Sequence, residues 1–222
     1  MSQNIEYNFQ INKFCEKKIN PDRPEYINAF TSLFLCYISY HGLSKPNLKK
    51  TVSLVYWTIF VNGIGSFLYH WNSWYIFKLF DEFSMVLPIW ISIADILFSL
   101  KYQNKYLGML TLFNVLLLVF DVFIWFDDIF PILFGLEIGL IIPLYYQSIK
   151  LLKDNTNTGL KGIIICIISA ITWITTEHFC NEYMIFGHAI WHIGMGLGTH
   201  YMIKYFNNLD LDINLDENKY LV

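Results

Sequence analysis

The sequence predicts an all-α integral membrane protein, a seven-transmembrane helix bundle. Three observations carry that expectation. Of 222 residues, 55% are hydrophobic and 15% are charged, where a soluble domain carries about 25% charged residues. Mean hydropathy is +0.40. The apolar residues gather into seven stretches close to the roughly 20 that cross a bilayer as a helix.

The stretches are residues 26–43, 51–70, 82–100, 105–126, 129–149, 160–179 and 184–206. The first is short and carries Asn28, Thr31 and Ser32. Residues 1–25 read as a polar segment with no cleavable signal peptide. Residues 26–206 form the spanning region, with short loops. Residues 207–222 carry Asp210, Asp212, Asp216 and Glu217 and read as a short, acidic, mobile tail.

Orientation follows from Lys and Arg in the loops. The N-terminus and the even loops hold five: Lys13, Lys17, Lys18, Arg23 and Lys78. The odd loops and the tail hold the other ten. This bias puts the tail in the cytoplasm and the N-terminus in the lumen. The net charge of −3 argues against nucleic acid, because phosphate binding needs a basic face. No obligate protein partner is expected. Cys15, Cys36, Cys166 and Cys180 form no CxxC pair, which excludes a zinc ribbon and leaves a disulfide open.

Ionisable residues inside hydrocarbon are costly and mark function by default. Ser66 and His70 are four apart, about 40° around a helix and so on one face. They end the second span, and Asp81 begins the third across a short loop. His188 and His192, again four apart, begin the seventh. The topology brings these ends to one membrane face. Three His and one Asp at one depth suit zinc, which takes three protein ligands in catalytic sites and leaves a fourth position to water. The metal lowers that water's pKa to about 7. Asp81 would bind or deprotonate the water, and Ser66 would donate to a developing oxyanion. A second reading stands beside this one, in which each His satisfies a local hydrogen bond in a helical bundle.

The stretches around these residues resemble the alkaline ceramidases. They are G-x-G-S-x-x-x-H at Gly63–His70, L-F-D-E at Leu79–Glu82, and H-A-x-W-H-x-x-x-G-L-G at His188–Gly198. That family belongs to a seven-span hydrolase superfamily that includes the progestin/adiponectin receptors. The resemblance implies that His70, His188 and His192 hold zinc, that Asp81 holds the water and acts as base, and that Ser66 stabilises the oxyanion. It implies hydrolysis of ceramide, entering from the bilayer, to sphingosine and a fatty acid, in the endoplasmic reticulum or Golgi. It also implies a disulfide between Cys15 and Cys180. Cys36 and Cys166 read as small buried hydrophobes.

The same family carries an acidic N-terminal segment that binds calcium. Here its counterparts are Phe14-Cys15-Glu16 and Glu25-Tyr26-Ile27-Asn28, with Lys13, Lys17 and Lys18 beside them. Calcium wants several oxygen ligands, some anionic, and three lysines oppose it. The expectation is a weakened or lost calcium site at Glu16, Glu25 and Asn28, with a lysine ammonium standing in for the ion. Glu177 is a further residue expected near the site. The GMGLG run at 194–198 and Gly63 and Gly65 read as close helix packing. Two other functions are weighed: a receptor-like protein of the same superfamily with a structural or slowly hydrolytic zinc, and a metal-ion transporter. A transporter should line a path through the membrane with polar groups, whereas these ligands cluster at one face.

Overall fold

A computed structural model describes residues 14–99, 109, 112–113, 116, 129–151 and 157–216. The predicted span 105–126 lies largely outside the described residues, as do Lys13, Asp121, Asp127 and Asp128. The elements are helical throughout: α1 Cys15–Ile19, α2 Tyr26–Leu43, α3 Lys50–Asn72, α4 Tyr75–Ser99, α5 Ile129–Leu151, α6 Thr158–His178 and α7 Gly187–Asp216. No strand occurs among the described residues.

Among the described residues the six long helices pack in sequence and close on themselves. Each packs on its neighbour in order from α2 to α7, α7 returns to α2, and α3 touches α7 across the bundle. Two apolar clusters hold it together. One joins Val52, Val55, Tyr56 and Ile59 of α3 to Tyr145 of α5 and Ile203, Tyr205 and Phe206 of α7. The other joins Val86, Ile89 and Ile93 of α4 to Phe134 of α5 and Trp191 of α7.

Small residues set the close approaches. A Cβ on Gly198 of α7 would meet the Gly162 carbonyl oxygen of α6 at 2.9 Å, so the two backbones are nearly in contact there. A Cβ on Gly65 of α3 would lie 3.2 Å from the Asp81 nitrogen of α4. That contact is what lets Ser66 and Asp81 become neighbours.

Two described helices, Lys50–Asn72 and Thr158–His178, are long and apolar enough to cross a membrane. On α6 the outward face is a stripe of exposed isoleucines at helical spacing, Ile164, Ile167, Ile168, Ile171 and Ile174. Leu54, Trp57, Val61 and Ile64 make a similar stripe on α3. Soluble monomers rarely expose contiguous apolar surface of this kind, and the bundle is accordingly membrane-associated.

Three boundaries differ from the sequence expectation. α4 starts at Tyr75, not at 82, because Ser73 adopts the left-handed conformation (φ 55°) and turns the chain within two residues of α3. Asp81 therefore lies in the second turn of α4. α7 runs to Asp216, so the first ten residues of the expected mobile tail are helix. The 1–25 segment is also less detached than it reads, since Cys15 and Glu16 are buried in the bundle.

Candidate metal centre and its surroundings

His70 comes from the last turn of α3, and His188 and His192 from the first turns of α7. All three are buried, at 1%, 5% and 4% exposure. One ring nitrogen from each lies within 4.8 Å of the others. The His70 and His188 Nε2 atoms face each other at 3.2 Å.

The ring orientations follow from what lies behind them. Glu25, at the head of α2, receives the His70 Nδ1 proton at 2.6 Å. A carboxylate acceptor at Nδ1 leaves the Nε2 lone pair pointing into the cluster. Behind His192, the Thr31 hydroxyl already donates to the Ile27 carbonyl at 2.7 Å, so toward His192 Nδ1 (3.2 Å) it can only accept. His192 therefore also carries its proton on Nδ1 and aims Nε2 inward. Neutral imidazoles with converging Nε2 lone pairs are the donor set that zinc takes. The three residues fit a zinc ion on these grounds. His188 differs, because its Nδ1 is buried with no hydrogen-bond partner among the described residues.

Asp81 and Ser66 flank the cluster. Ser66 Oγ lies 3.4 Å from His192 Nε2 and beside the Asp81 carboxylate. Asn62, one turn before Ser66 on α3, donates to Asp81 Oδ1 and to the Asp81 carbonyl, both at 2.9 Å. Thus α3 supplies His70, Ser66 and Asn62 from one face, and Gly65 lets that face reach α4.

The N-terminal acids are brought together at the head of α2. The two Glu16 carboxylate oxygens accept the backbone N–H groups of Ile27 and Asn28 at 2.8 and 2.9 Å. This satisfies two of the orphan donors that open α2 and places a negative charge at the positive end of its dipole. Burial pushes the Glu16 carboxyl above its ordinary value, and those two backbone bonds oppose the shift. Glu25 is engaged by His70 and, at 3.0 Å, by Asn28 Nδ2. Of this trio only Asn28 Oδ1 is a buried oxygen without a partner among the described residues.

The lysine substitution expected from the sequence is not seen for the two lysines that are described. Lys17 donates to the Arg23 carbonyl at 2.7 Å, and Lys18 pairs with Glu177 at 3.4 Å. Glu177 is thereby placed as well: it accepts from Cys15 N at 3.0 Å and from Lys18, and holds α1 rather than a histidine. Cys15 and Cys180 are joined by a disulfide that closes 165 residues of chain.

Four contributors were not legible in the sequence: Glu25 as the partner of His70, Thr31 as the partner of His192, Asn62 on Asp81, and Phe14. The Phe14 ring lies 4.0 Å from that of His188 and 5.1 Å from that of His70. Only Asn62 had a usable signal, being four residues before Ser66 on the same helix face.

The family profile described as Ceramidase matches residues 10–222. Alkaline ceramidase YPC1 of Saccharomyces cerevisiae is 23% identical over 241 residues, covering 88% of this chain and 75% of its own length. Two Dictyostelium discoideum proteins named among the alkaline ceramidases are similar too. The chain is 28% identical to dcd3B over 190 residues, 74% of this chain and 66% of that protein, so the match spans just under two thirds of that relative. It is 22% identical to dcd3A over 230 residues, with 82% and 79% covered. The chain belongs to the ceramidase family of hydrolases, whose reaction is cleavage of an amide bond.

Proposed function

We propose that this chain is a seven-span membrane amidase that hydrolyses ceramide to sphingosine and a free fatty acid, with zinc held by His70, His188 and His192. The observation that carries the reading is the convergence of three buried imidazoles with Asp81 and Ser66 at one end of the bundle. Family membership and the names of the relatives supply the substrate class.

Zinc, when bound, supplies a Lewis acid that lowers the pKa of water to about 7 and polarises the amide carbonyl. Glu25 and Thr31 keep the Nδ1 protons of His70 and His192 in place, so that both rings ligate as neutral imidazoles. Asp81, held by Asn62, takes a proton from the attacking water as its oxygen bonds to the carbonyl carbon. Ser66 donates a hydrogen bond to the carbonyl oxygen as negative charge grows there. Asp81 then returns the proton to the amide nitrogen as the C–N bond breaks. Products are the carboxylic acid and the free sphingoid amine, and the proton count closes.

The apolar flanks of α3 and α6 support delivery of the lipid from the bilayer. The Cys15–Cys180 disulfide supports an oxidising compartment on the N-terminal side, with the lumen of the endoplasmic reticulum or Golgi as the proposed setting.

The test is fatty acid release from ceramide by purified protein in detergent, with Ser66→Ala and Asp81→Asn alongside. The reading expects turnover by the wild type, a loss of about 10²–10⁴ for the Asp81 variant, and unchanged zinc content in both variants. Failure to cleave any ceramide by a protein that holds zinc would transfer the site to a different lipid substrate or to a receptor-like role.

A further inference from the structure

Metal-bound histidines nearly always donate their second ring N–H to a polar partner, which sets the ring's angle. Two of the three imidazoles here obey that rule and one does not. His70 has Glu25 and His192 has Thr31, whereas His188 Nδ1 is buried without a partner among the described residues. Something else must hold the His188 ring.

The ring is gripped by aromatics. Phe14 lies against one face, with centroids 4.0 Å apart and planes inclined by 31°. Trp173 of α6 meets it edge-on at 5.5 Å and 67°. Trp173 is itself fixed by Trp191 at 4.9 Å. Phe14 is fixed by the backbone that follows it. The next residue, Cys15, is tied to Cys180 by the disulfide, and its N–H donates to Glu177. The one after that, Glu16, is bonded to the head of α2.

We infer that Phe14 is a positioning residue for the third metal ligand, and that the Cys15–Cys180 disulfide acts on the metal centre through it. The face contact of Phe14 and the edge contact of Trp173 with the His188 ring replace the missing hydrogen bond and hold His188 Nε2 toward the other two rings. Phe14 also caps His70, at 5.1 Å, so the same ring covers the cluster from the side of the N-terminal segment. Loss of the disulfide frees the backbone beside Phe14 and so loosens the grip without touching a ligand. This inference rests on the proposal that the three histidines hold zinc.

The experiment measures metal retention by the full-length protein in detergent. Wild type, Phe14→Ala, Phe14→Trp and Cys15→Ser/Cys180→Ser are loaded with zinc and exposed to excess chelator, and the zinc remaining is followed in time. The same proteins loaded with cobalt(II) report ligand geometry through the visible absorption band. Phe14→Ala is expected to release zinc faster by about tenfold or more, the range seen when a partner behind a metal ligand is lost, and to change the cobalt band. Phe14→Trp, which keeps a stacking face, should restore both. The double Cys variant should resemble Phe14→Ala and add little to it in combination. A wild-type release rate and an unchanged cobalt band in Phe14→Ala would overturn the inference while leaving the zinc proposal standing. Fast release from Phe14→Trp as well would overturn it too, by showing disruption of the segment instead of loss of a stack. Absence of bound metal in the wild type would end both proposals together.

Discussion

Replacing Glu25 by alanine removes the acceptor of two buried donors at once, His70 Nδ1–H at 2.6 Å and Asn28 Nδ2 at 3.0 Å. The consequence for the metal runs through the His70 contact. Loss of the partner behind a metal-ligating imidazole costs about 10–100-fold in affinity, or about 1.4–2.8 kcal/mol. The 2.6 Å contact between a carboxylate and a buried ring is charge-assisted and among the stronger hydrogen bonds, so the upper half of that range is expected. Stability falls as well, because each orphaned buried donor costs about 1–3 kcal/mol. Glu25→Gln separates the two effects. Its amide oxygen can still accept from both donors but lacks the charge, so its zinc affinity should fall by about tenfold at most, with little loss of stability. The assay is a competition titration of zinc against a chromophoric chelator, read beside a denaturation curve. Unaltered zinc affinity in Glu25→Ala would refute the reasoning. If that variant instead lost only a response to calcium, Glu25 would return to the role its sequence context implies.

Further outcomes follow from the same contacts. Thr31→Val removes the hydroxyl acceptor at His192 Nδ1 and should speed zinc loss by up to about tenfold in a chelator chase, with the helical signal in circular dichroism unchanged. Asn62→Leu takes the clamp from Asp81 and should lower kcat while zinc content stays at the wild-type level, as measured by elemental analysis of the assayed sample. Gly65→Ala forces α3 away from α4, where a Cβ would stand 3.2 Å from the Asp81 nitrogen. Overpacking of this kind costs about 1–3 kcal/mol, read as a lower denaturation midpoint together with reduced turnover. Removing the Cys15–Cys180 disulfide should cost about 2–5 kcal/mol, seen as an earlier unfolding midpoint under reductant.

The cluster of three histidines with Ser66 was legible because its signal is local. Ser66 and His70, and again His188 and His192, are four residues apart, and helical geometry alone puts each pair on one face. Which ends of the bundle meet follows from counting spans. The groups behind the ligands carry no such signal. Glu25 meets His70 across 45 positions of sequence, where the head of α2 packs on the end of α3 and the Glu25 N–H also donates to the His70 carbonyl at 3.1 Å. Its acidic neighbour Glu16 bonds the backbone at the head of α2 through both carboxylate oxygens, a contact with no signature in the spacing. Lys18 was expected to replace an ion and instead meets Glu177, a partner 159 positions away. The position of Asp81 depended on a single residue, Ser73, whose left-handed backbone shortens the α3–α4 connection to two residues. The helical continuation of α7 to Asp216 was hidden because polar side chains say where a span leaves lipid, not where its backbone hydrogen bonds stop.

The central claim is a catalytic zinc at three histidines, and the most direct measurement of it is zinc stoichiometry and fatty acid release on one purified sample. Wild type is compared with His188→Ala and His192→Ala. The account predicts close to one zinc per wild-type chain, hydrolysis of ceramide, and loss of both in either variant. Wild-type protein that cleaves ceramide with no zinc bound, or histidine variants that keep full activity, would contradict it.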